Sequence, residues 1–184
     1  MRCIAGLSPV ALALVALAAC ATSEPDPPAT ANMPTGRAPA EAPITNTAGA
    51  QIGKATFTAA PQGILIRIMV EPAGLSPGWH GAHLHMVGDC SDTAKFEHAG
   101  GHIQKSSTNH GLLYVHGPEN GDLPNISVAG DGSASVELYS SLVTLSDLED
   151  TDGSALIIHA NPDDHITQPL GNSGDRVACA VVPK

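Results

Sequence analysis

Four short runs rich in β-branched residues, "ILIRIMV" at 64–70, "SVELYS" at 135–140, "ALIIHA" at 155–160 and "RVACAVV" at 176–182, constrain the fold most. Each suits a strand and none is long enough for an ordinary helix. Turn signals separate them: "EPAGLSPG" at 71–78, "AGDGS" at 129–133 and "NPDD" at 161–164. With 19 glycines, 15 prolines and few aromatics, short strands joined by tight turns are expected, so the class is all-β, an antiparallel β-sandwich or flattened barrel. The pattern contains no convincing helix, internal repeat or phosphate loop. The stretch 88–132 has few strand signals and is too long to be an idle loop.

The 184 residues allow about one domain, and the first 47 look dispensable for it. Arg2 followed by an apolar run from Leu7 to Ala19 reads as an export signal, residues 1–19, too short to span a bilayer. The junction "LAAC" places Cys20 as a lipidated first residue of the mature chain; the alternative is a plain cleaved signal that leaves an exposed thiol. Residues 20–47 then form a Pro/Ala-rich disordered tether, and 48–184 the folded domain. This predicts a periplasmic protein anchored to the cell envelope by lipid, with Ala21 and Thr22 favouring the outer membrane. Cys3 leaves with the signal, so Cys90 and Cys179 remain in a compartment where disulfides persist and are expected to pair.

A formal charge of −10 argues against nucleic acid, whose phosphates need a basic face. All nine histidines lie at or beyond position 80. In a strand His83 and His85 share one face, with Leu84 on the other, a workable start for a chelate but weak alone. Further ligands would have to converge: His102, His110 and Asp122 from the long loop, and His159 from "LIIHA". A histidine flanked by Ile157, Ile158 and Ala160 needs a partner if buried, though a hydrogen-bonded core histidine would also fit.

Taken in order, "GWHGAHLHMVGDC", "AGGHIQ", "NHG", "GDLPNI", "LIIHANPDD" and "TQPLGNSGDRVACAVV" resemble the copper,zinc superoxide dismutases of the bacterial envelope over residues 48–184. The resemblance implies a Greek-key barrel with long metal-binding loops. It implies copper on His83, His85, His102 and His159, and zinc on His102, His110 and Asp122, His102 bridging the two. Asp163 matches the carboxylate that orients one copper and one zinc histidine, Arg176 the arginine beside copper, and Cys90 with Cys179 the family disulfide. The implied reaction converts superoxide to dioxygen and hydrogen peroxide as copper cycles between Cu(II) and Cu(I). In it His102 releases copper on reduction, takes a proton and returns it, while Arg176 orients the anion. Lys95 and Lys105 are the candidates for steering that anion against the net charge. Superoxide is then the partner, with membrane contact through lipid alone and a monomeric or homodimeric chain.

One position departs from the pattern. Where the family carries a third zinc histidine, three residues before the aspartate, this chain has Glu119. Glu119 can ligate zinc through oxygen, and His116 is the other candidate; failing both, the zinc site is weakened. His98 and His165 read as surface residues. A copper-storing lipoprotein on the same fold is the competing reading, and Arg176 argues against it, since a metal store has no evident need of a cation beside its metal.

Overall fold

A computed structural model describes residues 37–184, so the signal, Cys20 and most of the tether lie outside the described residues. Among the described residues nine strands make two antiparallel sheets: β1 (Ala40–Asn46), β2 (Gln51–Ala60), β3 (Gly63–Val70), β4 (Gly78–His80), β5 (Ala82–His85), β6 (Ile126–Val128), β7 (Ala134–Ser140), β8 (Ala155–His159) and β9 (Arg176–Val181). Seven form one curled sheet in the order β5-β8-β9-β1-β2-β3-β7, and β4 pairs with β6. The jumps from β3 to β7 and from β5 to β8 are crossovers of the Greek-key kind. The expected all-β class is the observed one, as a curled antiparallel sheet with long loops. Its helical content among the described residues is a single turn each at Glu97–Ala99 and Leu145–Leu148.

All four strands read from the apolar runs are present, and the domain begins earlier than residue 48. β1, within the expected tether, pairs with β2 from Ala40 to Thr45 and with β9 at Thr45 and Asn46. Its alternation puts Ala42 and Ile44 into the core, which is enough because β2 and β9 supply the rest of the apolar face. Pro43 lacks an N–H but has only β2 beside it, since β9 reaches no further than Thr45.

The core fills the inside of the curled sheet with Phe57, Ile64, Ile66, Ile68, Leu84, Leu156 and Ile158. Alternation sends the other face of β5 and β8 outward: His83 and His85 beside Ile157, with His159 following. That outer face is buried too. The loop after β5 covers it with Phe96 and Ala99, packed on Ile157 and Cys179, and is tied down by the Cys90–Cys179 disulfide. The bridge spans 89 residues, which the chain-entropy view values at about 4–5 kcal/mol.

Candidate metal centre

The free edge of β5 explains why the long loop carries the site. Leu84 donates its N–H to Gly121 O at 2.8 Å and accepts from Ile103 N–H at 2.9 Å, so the loop docks on the edge by backbone bonds. This pairing sets His83 opposite Asp122 and His85 opposite His102. The approach needs Gly121, because a Cβ there would lie 2.1 Å from Leu84 O.

One set of side chains is then His83, His85, His102 and His159, all buried, with one ring nitrogen from each within 4.8 Å of the others. The opposite nitrogens are engaged. Nε2–H of His83 donates to Asp163 Oδ2 at 2.8 Å, Nδ1–H of His85 to Gly100 O at 2.9 Å, and Nδ1–H of His159 to Gly174 O at 3.1 Å. His102 donates through Nδ1 to Glu119 Oε2 at 2.9 Å and Asp122 Oδ1 at 3.2 Å. Since carbonyls and carboxylates only accept, these partners leave a lone pair on the remaining nitrogen of each ring. Those nitrogens, His83 Nδ1, His85 Nε2, His102 Nε2 and His159 Nε2, are buried without any hydrogen-bond partner. Burial lowers His83 to about 4 and His159 to about 3, and holds His85 well below its usual value. His83, His85 and His159 are therefore neutral at pH 7, and four buried ring nitrogens without partners, the fourth from His102, fit a copper ion.

A second set is His102, His110, Glu119 and Asp122. Asp122 Oδ1 accepts from His110 Nδ1 at 2.8 Å, and its Oδ2 from the backbone N–H of Gly111 and Glu119 at 2.8 and 2.9 Å. His110 also donates Nε2–H to Asp163 Oδ1 at 3.1 Å. Burial opposes charge on His110, but bonds to Asp122 and then Asp163 outweigh it and raise the group to about 10. His102 is raised for the same kind of reason, by Asp122 and Glu119. Despite burial, bonds from these histidines hold Asp122 and Asp163 well below the usual carboxylate range. Protons bridge rings to carboxylates where a cation would satisfy both, and two nitrogens with two oxygens suit zinc.

His102 belongs to both sets, presenting Nε2 to one and Nδ1 to the other. Asp163 spans them from behind, touching His83 and His110. Arg176 donates to Phe96 O at 2.5 Å and Gly100 O at 2.7 Å, which fixes the guanidinium beside a cavity of about 560 Å³ lined also by Lys95, Glu97, His159 and Asp175.

Of the residues named from sequence, Glu119 is in the second set, while His116 is exposed and packs on Tyr114 at 5.7 Å between ring centroids. Lys95 lines the cavity but lies 3.6 Å from Glu97. Lys105 does not line it and is ion-paired with Asp147, which weakens its steering role. His98 is exposed as expected. His165 is not a surface residue: its side chain is 17% exposed, and its N–H donates to Asp163 Oδ1 at 2.6 Å. A left-handed backbone at φ 61 turns it back over Asp163, which spacing along the chain does not reveal. His80, buried with Nδ1 2.6 Å from His159 O, had no sequence-based role; its place three residues before His83 was the available signal.

A model of the family described as copper/zinc superoxide dismutase matches residues 51–182. Superoxide dismutase [Cu-Zn] of Caulobacter vibrioides is 49% identical over 141 residues, 73% of this chain and 79% of that protein. Superoxide dismutase [Cu-Zn] 1 of Aquifex aeolicus is 40% identical over 147 residues, 77% and 85% of the two chains. Among solved structures, a SOD-like protein from Bacillus subtilis aligns with TM-score 0.71 at 33% identity, covering 79% of this chain and all of that one. Cu/Zn superoxide dismutase from Brucella abortus aligns with TM-score 0.66 at 27% identity, covering 79% of this chain.

Proposed function

This chain belongs to the copper/zinc superoxide dismutase family, and from that membership we propose that His83, His85, His102 and His159 hold its copper and His102, His110, Asp122 and Glu119 its zinc. The protein is a superoxide dismutase that uses copper and zinc and yields dioxygen and hydrogen peroxide. The four orphaned ring nitrogens carry the ligand assignment, since burying them without a partner is otherwise unfavourable.

Copper, when bound, supplies the one-electron exchange. The chain's residues do the rest. Arg176 offers a fixed cation at the cavity that attracts and orients the superoxide anion. With Nδ1 turned to the zinc-side carboxylates, Nε2 is the atom at which His102 holds a proton and passes it to the reduced oxygen species. Asp163 keeps His83 in the tautomer that leaves Nδ1 free. Lys95 adds positive charge to the same cavity, partly offset by Glu97.

The export signal and "LAAC" support location in the bacterial cell envelope, with Cys20 lipidated and the membrane reached only through that lipid, the outer membrane being favoured. The ligand assignment is tested by loading copper and zinc and recording electron paramagnetic resonance with metal analysis. One copper per chain with nitrogen hyperfine coupling, plus one zinc, is expected; copper bound without nitrogen coupling overturns the assignment. Cys20→Ser should move the protein from the membrane fraction to the soluble envelope fraction, and no change would refute the anchor.

A further inference from the structure

Two side-chain amides near the zinc set each grip both backbone groups of one residue, and Asn125 Nδ2 also lies 3.2 Å from His165 Nε2. Asn125 accepts from Asp163 N–H through Oδ1 at 2.8 Å and donates from Nδ2 to Asp163 O at 2.8 Å. Gln168 accepts from His110 N–H through Oε1 at 3.1 Å and donates from Nε2 to His110 O at 2.7 Å and to Ile166 O at 3.0 Å. An amide that satisfies both backbone groups of one residue does what a neighbouring strand does in a sheet.

The grips are reciprocal. Asn125 stands just before β6, at the end of the loop from β5, and holds Asp163 in the segment between β8 and β9. Gln168 stands in that second segment and holds His110 in the first. The two gripped residues bond to each other, His110 Nε2 to Asp163 Oδ1 at 3.1 Å. Asn125, Asp163, His110 and Gln168 therefore close a circuit between two loops that no strand ladder joins at this point.

We propose that Asn125 and Gln168 form a reciprocal lock that positions His110 for zinc, a deepening that rests on the zinc-side reading above. Neither touches the reacting atoms, so both are positioning residues. The consequence is selective. His83, His85 and His159 sit on β5 and β8, where the ladder fixes the backbone, whereas His110 sits on a loop. Loosening the lock therefore costs zinc affinity before it costs copper affinity.

The test titrates the metal-free full chain with zinc alone and with copper alone, each against a competing chelator. Gln168→Met keeps length and removes the polar end; Asn125→Ala removes the other grip. Each should lower zinc affinity about ten- to a hundred-fold and copper affinity much less, Asn125→Ala more than Gln168→Met because Asp163 also holds His83. In the double variant the loss should fall well short of the product of the two, because either change alone opens the circuit. Wild-type zinc affinity in Gln168→Met, zinc and copper falling together, or fully multiplicative losses each overturn the lock. A wild-type chain that takes up no zinc overturns the zinc-side reading and the lock with it. If Gln168→Met does not fold, Gln168→Glu, which keeps the acceptor for His110 N–H and opposes His110 O, gives the same comparison.

Discussion

Glu119 sets its Oε2 2.9 Å from Nδ1 of His102, on the side of that ring away from its orphaned Nε2. A carboxylate thus stands where the family carries a histidine, beside Asp122. Glu119→Ala should weaken zinc binding at least about tenfold while copper binding on the four imidazoles is retained. Glu119→His should keep zinc bound. Isothermal titration of the two variants with zinc checks both, and unchanged zinc affinity in Glu119→Ala would remove Glu119 from the site.

Gly171 tests how closely Asp163 is packed. A Cβ at Gly171 would lie 1.6 Å from Asp163 Oδ1 and 2.8 Å from His110 Nε2, at a backbone φ of +59. Gly171→Ala must displace the carboxylate that holds His83 and His110, besides about 1–3 kcal/mol of backbone strain. Thermal unfolding should show lower stability, and metal analysis lower occupancy of both metals; an alanine variant that keeps full occupancy would show that Asp163 is not needed to orient its two histidines.

The pH dependence of the metal-free protein follows from the two sets having opposite shifts. His83 and His159 lie at about 4 and about 3 in the fold, below the ordinary value near 6.5, so the unfolded chain binds more protons there and stability falls as pH drops from about 6.5 towards 4. His110 lies at about 10, so its contribution is complete below about 6.5 and is lost as pH rises towards 10. Denaturant unfolding in the presence of chelator should therefore be most resistant near pH 6–7. A stability that climbs steadily to pH 9 would contradict the raised His110.

The disulfide and Arg176 form one unit. Cys179 lies three residues after Arg176 in β9, and the loop it ties down supplies Phe96 O and Gly100 O to the guanidinium. The pair Cys90→Ser with Cys179→Ser should lose about 2–5 kcal/mol of stability. Superoxide removal per bound copper should fall as well, because the guanidinium loses its fixed acceptors. Undiminished activity per copper would show that Arg176 is placed without the bridge.

Of the four buried imidazoles, His83 and His85 were legible as a pair alternating along a strand and His159 as the end of another, while only the family resemblance joined them to His102 in the loop. β1 was not, since "AEAPITN" carries only Ala42 and Ile44 inward and owes its strand to neighbours far along the chain. The grips of Asn125 and Gln168 were hidden for a similar reason, as polar loop residues whose partners lie 38 and 58 positions away. The place of His165 depends on one left-handed residue, whereas the importance of Glu119 showed only as a departure from a motif.

We propose that the buried imidazoles of His83, His85, His102 and His159 support the reaction through copper. The most direct test is the decay of pulsed superoxide over the protein at graded copper loading with zinc present. The rate should rise in proportion to bound copper up to one per chain and fall sharply in Arg176→Ala at equal loading. Full copper occupancy with no faster decay than free buffer would contradict it.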